Sequence, residues 1–166
     1  ERELADYTAV IDMPDAPAEQ KATALYNRSV TYGQRGGDGD LERELADYTA
    51  VIDMPDAPAK QKAMALVNRG VIYGRRGGDG DLELELADYT AVIDMPDAPA
   101  EPKAQALFNL ACAFARRGQV DKAISHLKRW AELDPGASRA RLDDDADFDP
   151  IREDPAFTAF RDLLAR

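Results

Sequence analysis

The sequence predicts an all-α fold, an α-solenoid of stacked antiparallel helix pairs that ends in a C-terminal capping helix. Residues 1–41 and 42–82 are nearly identical, and a third copy begins at Glu83 and keeps the pattern until about Pro102. Apolar residues recur at helical spacing in each copy, and no segment has the alternation of a strand. A fixed period of 41 residues indicates one helical unit stacked on itself, so that each unit buries its apolar face against its neighbours.

The first helix of each pair is predicted from its boundaries and its apolar face. Pro14 and Pro17 end the preceding element, and proline is tolerated in a first helical turn because its missing N–H has no partner there. A helix is therefore predicted over residues 17–35, ending at the glycine-rich turn 36–39. Its predicted inward face comprises Ala18, Ala22, Leu25, Ser29 and Tyr32.

The second helix of each pair follows the glycine-rich turn. Asp40 is predicted to cap it, and Met54 ends it because a residue before proline is pushed out of helical geometry. Its predicted buried stripe comprises Leu41, Leu45, Tyr48, Val51 and Ile52. The same signals predict helices over residues 1–12, 17–35, 40–53, 58–76, 81–94, 99–117 and 119–133.

Small residues on these helices predict close packing. Ala22, Ala24, Ala46 and Ala50 are expected to contact neighbouring helices, because small side chains let helix axes approach one another. On this interpretation, replacing Ala46 or Ala87 by Leu overpacks the stack and costs about 1–3 kcal/mol.

The chain is predicted to divide into an array and a C-terminal region. The array comprises a half unit over residues 1–13 and pairs over 14–54, 55–95 and 96–135. Residues 136–166 form an acidic loop followed by a capping helix that opens at Asp154 and Pro155. One stripe of that helix comprises Phe157, Phe160, Leu163 and Leu164, which suits a terminal element with one solvated face. The acidic stretch 141–150 is interpreted as a solvated loop or, alternatively, as a cation site.

Composition restricts the partners. The net charge of −11 argues against nucleic acid and against an anionic membrane surface, and it suits either a basic partner or solubility alone. Cys112 is the single cysteine, so no internal disulfide is expected and a reducing, cytoplasmic location is the simpler expectation. No signal peptide or membrane span is predicted. Glu1 begins in mid-unit, which is typical of a piece of a longer protein.

Residues 106–135 resemble a tetratricopeptide repeat (TPR). The motif's apolar, small, aromatic and turn positions are matched by Leu107, Leu110, Ala111, Phe114, Gly118, Ala123, Leu127, Trp130 and Pro135. The earlier units are longer than the family's roughly 34 residues, and they have Arg28 and Arg69 where leucine is usual and Glu44 and Glu85 where alanine is usual. The resemblance implies a long-repeat, TPR-like superhelix. The ending 147–160 also resembles tails that follow bacterial repeat arrays.

The resemblance implies a concave groove lined by the first helices, which in this family binds an extended peptide or a partner helix. In the first pair the projected groove residues are Thr23, Tyr26, Asn27, Val30 and Gln34. In the second and third pairs they are Met64, Val67, Asn68, Val71, Arg75, Gln105, Phe108, Asn109, Cys112 and Arg116. Apolar anchors mixed with amide and guanidinium donors suit a peptide backbone. We therefore expect a non-catalytic scaffold that binds a protein or peptide.

Two features of this groove have alternative interpretations. Positions 19, 23, 26 and 34 differ between the first two copies and lie near one helical face, which fits either drift of exposed residues or variation of a binding surface. Asn27, Asn68 and Asn109 form a ladder that could hold peptide main chain or satisfy backbone groups between helices. Some members of this family bind a C-terminal carboxylate with Lys, Asn and Arg side chains from successive first helices. Asn68 matches one such residue, but the cationic positions beside it hold Tyr26, Val30, Phe108 and Cys112, so a carboxylate clamp is not expected.

Apart from the alternative of a cation site in the stretch 141–150, no catalytic residue, cofactor or metal site is predicted. The single histidine, His126, and Cys112 lie on different helices, whereas a nucleophile needs an adjacent, oriented base. The sequence has no P-loop and no metal-ligand spacing. The glycine–aspartate turn at 36–40 offers two carboxylates, too few for Ca²⁺ with its roughly 6–8 oxygen ligands, and is interpreted as a turn.

Two rival hypotheses remain. Residues 1–12 are a second helix without its first, which would expose a self-association patch of Leu4, Tyr7, Val10 and Ile11 and permit a homo-oligomer through the repeat ends. Alternatively, the array is a spacer or a cap on a neighbouring domain and has no ligand of its own.

Overall fold

A computed structural model describes residues 1–164, which are helical throughout apart from short connections and contain no strand. The helices are α1 Arg2–Asp12, α2 Ala18–Arg35, α3 Asp40–Asp53, α4 Ala59–Arg76, α5 Asp81–Asp94, α6 Ala100–Ala115, α7 Val120–Leu133, α8 Arg139–Asp144, a 3₁₀ helix Ala146–Ile151, and α9 Pro155–Leu163. The predicted all-α class is confirmed, and the boundaries of α1 to α7 lie within two residues of those predicted. Among these helices, none combines the length and apolarity that crossing a membrane requires.

Consecutive helices pack against one another from α1 to α7. In addition, α4 contacts both α2 and α6, so alternate helices also touch. The buried side chains form three clusters along this row, around Tyr48, Tyr89 and Trp130 respectively. Each cluster contains side chains from one helical hairpin and from its neighbours, which is the shared burial that the 41-residue period predicts.

An arginine clamp joins three consecutive helices. Arg28 on α2 donates Nε and Nη2 to the two carboxylate oxygens of Asp47 on α3, at 2.7 Å each, and Nη1 to Thr8 Oγ1 on α1 at 2.9 Å. A second clamp repeats these bonds one unit later with Arg69, Asp88 and Thr49. Because a bidentate guanidinium–carboxylate pair is geometrically specific, each clamp fixes the register of its three helices.

The glycine-rich turns use backbone geometry that other residues rarely adopt. Gly36 and Gly39 have φ values of 61° and 74°, in the left-handed region. Gly39, and not Asp40, is the N-cap residue of α3. The Asp40 carboxylate instead accepts hydrogen bonds from Arg35 and from the backbone N–H of Gly37, which ties the end of α2 to the start of α3.

Two predictions for the second helices are wrong, namely that Ala46 and Ala50, with the repeat position Ala87, contact neighbouring helices, and that Leu41 belongs to the buried stripe. Ala46, Ala50 and Ala87 are exposed, and Leu41 is 39% exposed. Tyr48 is buried, and a residue two positions from it lies about 200° around the helix. Ala46 and Ala50 therefore point away from the hairpin, so Leu at position 46 or 87 does not overpack the stack.

The C-terminal segment, residues 139–163, covers the last hairpin. The 3₁₀ helix packs on α6, and α9 packs on α7. The aromatic rings of Phe108 and Phe148 lie 5.7 Å apart between centroids, and Phe148 also stacks on Phe157. Phe148 and Phe157 are fully buried, so this segment closes the apolar end of the array.

Candidate binding clefts

Three helices enclose a cleft beside the first two hairpins, which we name the α2–α4 cleft. It has a volume of about 570 Å³. Its lining comes from α2, α3 and α4 and comprises Val30, Gly33, Gln34, Leu41, Glu44, Tyr48, Asn68, Val71, Ile72, Arg75 and Arg76. The cleft therefore combines aliphatic side chains with an amide, a carboxylate and guanidinium groups.

Asn68 has a structural role within this cleft. Its Nδ2 donates to the hydroxyl oxygens of Tyr26 and Tyr48, at 3.0 Å each. Burial raises the pKa of Tyr48, so the hydroxyl is neutral. Because both amide hydrogens of Asn68 are used, its side chain offers a ligand only the Oδ1 acceptor.

A carboxylate fills the space that a glycine leaves in the lining of the cleft. A Cβ atom at Gly33 would lie 2.7 Å from Glu44 Oε1, so the missing side chain makes room for this carboxyl group. Burial raises the pKa of Glu44, and the charge of Arg75 opposes that shift. Glu44 and Arg75 thus place opposite charges on α3 and α4 within one cleft.

A second space, the α4–α6 cavity, lies one unit further along the chain. Its volume is about 430 Å³, and it shares Val71 and Arg75 with the α2–α4 cleft. The remaining lining residues are Gly74, Glu85, Tyr89, Phe108, Asn109, Cys112, Arg116, Asp145 and Asp147. The C-terminal segment thus supplies two carboxylates to this cavity.

Arg116 connects two carboxylates across the α4–α6 cavity. Its Nη2 donates to Glu85 Oε1 at 2.7 Å, and its Nη1 donates to Asp147 Oδ2 at 2.6 Å. Burial alone would lower the pKa of Arg116, but the two carboxylates outweigh it and the pKa is raised. Glu85 is 2% exposed, and its second oxygen, Oε2, has no hydrogen-bond partner among residues 1–164.

The structure brings nine of the predicted groove residues to these two spaces. Val30, Gln34, Asn68, Val71 and Arg75 line the α2–α4 cleft, and Phe108, Asn109, Cys112 and Arg116 line the α4–α6 cavity together with Val71 and Arg75. The other six predicted residues line neither space. Thr23 and Gln105 are exposed, Tyr26, Asn27 and Met64 are half-buried, and Val67 is buried.

Three predicted groove anchors lie in the core. Val67, Phe108 and Cys112 are 2%, 5% and 4% exposed. Phe108 packs between Trp130 and Phe148, so the C-terminal segment covers the third pair at this position. Val67 therefore presents little surface to a partner, and neither Phe108 nor Cys112 does so while that segment is in place.

The predicted self-association patch is partly covered by neighbouring residues. Leu4 is 9% exposed, and Ile11 packs against the core cluster around Tyr48. Tyr7 and Val10 are half-buried. The patch therefore exposes less apolar surface than an isolated second helix would.

The sequence interpretation missed the glutamates of both spaces, and it considered Asp145 and Asp147 only within an acidic stretch interpreted as a solvated loop or, alternatively, as a cation site. Glu44 and Glu85 occupy positions where the TPR motif has alanine, each opposite a glycine of the preceding helix. This glycine–glutamate pairing, repeated 41 residues apart, is the signal that could have indicated them. Asp145 and Asp147 reach the cavity through a long-range contact that no local pattern indicates.

Comparisons of the chain with models of protein families, with curated proteins and with solved structures found no match. The resemblance to the TPR family stays a prediction based on the residues quoted for it.

Proposed function

We propose that this chain is a non-catalytic scaffold, a TPR-like α-solenoid that binds an extended peptide segment of a partner protein in the α2–α4 cleft. The observation that supports this proposal is the convergence of apolar and polar groups from three helices on one cleft. Its volume of about 570 Å³ is within the usual range of ligand sites, about 300–1,000 Å³.

Each side of the cleft has a role in peptide binding. Val30 and Val71 are half-buried and offer apolar contacts to an anchor side chain. Asn68 Oδ1 can accept a hydrogen bond from a peptide N–H, and the exposed Arg75 guanidinium can donate to a peptide carbonyl or carboxylate. Apolar anchors supply affinity and these directional bonds supply register.

The test begins with selection of phage-displayed random peptides on the wild-type protein. Selected peptides are then synthesised with a fluorophore, and their dissociation constants are measured by fluorescence polarisation. Val71→Asp puts a charge in the lining of the cleft and should weaken binding at least about tenfold, which corresponds to about 1.4 kcal/mol. Ala50→Asp adds the same charge on the exposed side of α3 and should leave binding unchanged.

Circular dichroism of both variants establishes that the fold is retained. Selection that enriches no peptide, or peptides that bind wild type and Val71→Asp equally, would overturn the proposal. A second variant, Gln34→Ala, tests the cleft without disturbing the core, because Gln34 lines the cleft and is exposed.

A further inference from the structure

Three metal-ligand side chains meet at the α4–α6 cavity. Cys112 projects from α6, and Asp145 and Asp147 lie at the start of the 3₁₀ helix. One ligand atom from each residue lies within 4.8 Å of the other two. Cys112 is buried and the two aspartates are half-buried, so the cluster is not part of the freely solvated surface.

A separate observation points to a ligand in the same cavity. Glu85 is 2% exposed and lines the cavity from α5, and one of its carboxylate oxygens, Oε2, has no hydrogen-bond partner in the part of the chain that the structure describes. Leaving a buried charged acceptor unsatisfied is costly, and such groups are ordinarily paired or bound to a ligand. A bound water on a metal ion would supply the missing donor.

The bonds within the cluster leave suitable atoms free. Asp145 Oδ1 accepts from the Asp147 backbone N–H at 2.9 Å, and its Oδ2 faces the Cys112 Sγ at 3.9 Å. Asp147 Oδ2 accepts from Arg116, which holds this carboxylate in place and leaves Oδ1 available. With Zn–S and Zn–O bonds of about 2.3 and 2.0–2.2 Å, tetrahedral geometry puts sulfur and oxygen about 3.5–3.7 Å apart. A shift of a few tenths of an ångström therefore brings Sγ and Oδ2 to ligand spacing.

We propose that Cys112, Asp145 and Asp147 bind one Zn²⁺ ion, with water in the fourth position and Glu85 Oε2 as an acceptor for that water. Binding replaces the thiol proton of Cys112, which is released to solvent, by a bond from the thiolate to the metal. A thiolate selects a borderline metal such as Zn²⁺ over Mg²⁺ and Ca²⁺, which prefer oxygen ligands alone.

The charges around the cavity support a dication. Glu85, Asp145 and Asp147 contribute three negative charges against two positive charges from Arg75 and Arg116. With a Cys112 thiolate the balance is −2, which Zn²⁺ neutralises.

The site joins α6 to the C-terminal segment. Cys112 and the aspartates are more than thirty residues apart in the chain, so the metal would cross-link the last hairpin to its cover. This proposal does not depend on peptide binding in the α2–α4 cleft, and it is tested separately.

The test uses Co²⁺ as a spectroscopic substitute for Zn²⁺ on the full chain. Cys112 is the single cysteine, so any thiolate-to-cobalt charge-transfer band in the near ultraviolet reports this residue alone. We expect one equivalent of Co²⁺ to produce this band with tetrahedral d–d absorption, and Zn²⁺ to displace it. Sedimentation of the loaded protein as a monomer establishes that one chain supplies all three ligands.

Three variants sharpen the result. Cys112→Ser should abolish the charge-transfer band, and Asp145→Asn should weaken Co²⁺ affinity about 10–100-fold, with the band recovered at high metal concentration. Asp149→Asn is the matched control, because Asp149 is exposed, belongs to the same 3₁₀ helix and bonds Arg152, and the change leaves the bond from Arg152 to the Asp145 carbonyl in place. Its affinity should equal that of the wild type.

Circular dichroism checks the fold of each variant, and a Zn²⁺-dependent rise of the melting temperature in wild type and Asp149→Asn, absent in Cys112→Ser, provides an independent readout. Co²⁺ binding without a thiolate band would be adventitious binding to surface carboxylates and would overturn the proposal. Equal affinities of Asp145→Asn and Asp149→Asn would overturn it as well.

Discussion

The contact between Gly74 on α4 and Glu85 on α5 allows us to predict how a substitution at Gly74 changes the free energy of unfolding. A Cβ atom at Gly74 would lie 2.5 Å from Glu85 Oε1 and 2.8 Å from its Cδ. Glu85 is almost fully buried and bonded to Arg116, so its carboxylate cannot swing into solvent without losing that bond. Gly74→Ala therefore displaces an anchored group.

The expected magnitude follows from two opposing terms. Alanine favours a helix interior over glycine by about 0.8–1.0 kcal/mol. Loss of the hydrogen bond between Glu85 and Arg116 costs about 1.5–3 kcal/mol, because both groups are charged. We therefore expect Gly74→Ala to lower the free energy of unfolding by about 0.5–2 kcal/mol. In a domain of this size, that lowers the melting temperature by about 1–8 °C.

A double-mutant cycle isolates the contact. Glu85→Ala alone loses the same bond to Arg116, so the double variant Gly74→Ala/Glu85→Ala loses it once and not twice. The double variant should be more stable than the sum of the single effects by about 1.5–3 kcal/mol, because the loss of this bond is counted once. The chain already contains such an alanine pair. In the third hairpin the positions equivalent to Gly74 and Glu85 hold Ala115 and Ala123, which are both fully buried.

The assay is urea unfolding followed by far-ultraviolet circular dichroism. Gly33→Ala/Glu44→Ala is the matched control cycle, because Glu44 is only partly buried and its coupling should be smaller. The reasoning is refuted if Gly74→Ala stabilises the protein by the full helical preference of alanine. It is also refuted if the two single effects add to within about 0.3–0.5 kcal/mol.

Three further predictions concern pH and packing. The bond to Arg76 lowers the pKa of Asp81 from 3.8 to about 2. The ionised Asp81 therefore contributes fully to stability above about pH 4, and this contribution is lost as the pH falls towards 2. In Asp81→Asn, the melting temperature should depend less on pH between about 4 and 2. Burial lowers the pKa of His126 below 6.5, so stability should decrease as the pH falls below 6.5 in wild type and stay level in His126→Leu, as scanning fluorimetry can measure. Ala46→Leu should change the free energy of unfolding in urea by less than about 0.5 kcal/mol, whereas Ala63→Leu, at a fully buried position, should cost about 1–3 kcal/mol; equal effects would contradict the burial pattern.

The helices could be predicted because their boundaries are local. Proline and glycine punctuate each unit, and the repetition provides the same signal two or three times. The orientation of the second helices was harder, because α3 has apolar residues on more than one face. Leu41 and Ala46 suggested a wider stripe, whereas Glu44 and Asp47 turn inward to glycine and arginine partners on α2.

The polar part of the candidate sites could not be predicted from local pattern. Glutamate on a helix ordinarily points to solvent, and only the three-dimensional pairing of Glu85 with Gly74 and Arg116 explains its burial. The position of the acidic stretch could not be predicted either, because Asp145 contacts Cys112, which lies more than thirty residues away in the chain. Long-range contacts of this kind depend on how the whole end of the array closes.

The arginine clamps bear on how a chain with nearly duplicate segments avoids mispairing while it folds. If α6 docked between α3 and α5 in place of α4, Leu110 would stand opposite Asp88, and this carboxylate, 5% exposed, would be sealed in without a cation. A buried charge that loses its counterion costs about 3–5 kcal/mol. Exchange of the helices that carry the two identical clamps has no such penalty. The clamps therefore distinguish only the last hairpin from the others, and they fix its place at the C-terminal end of the array.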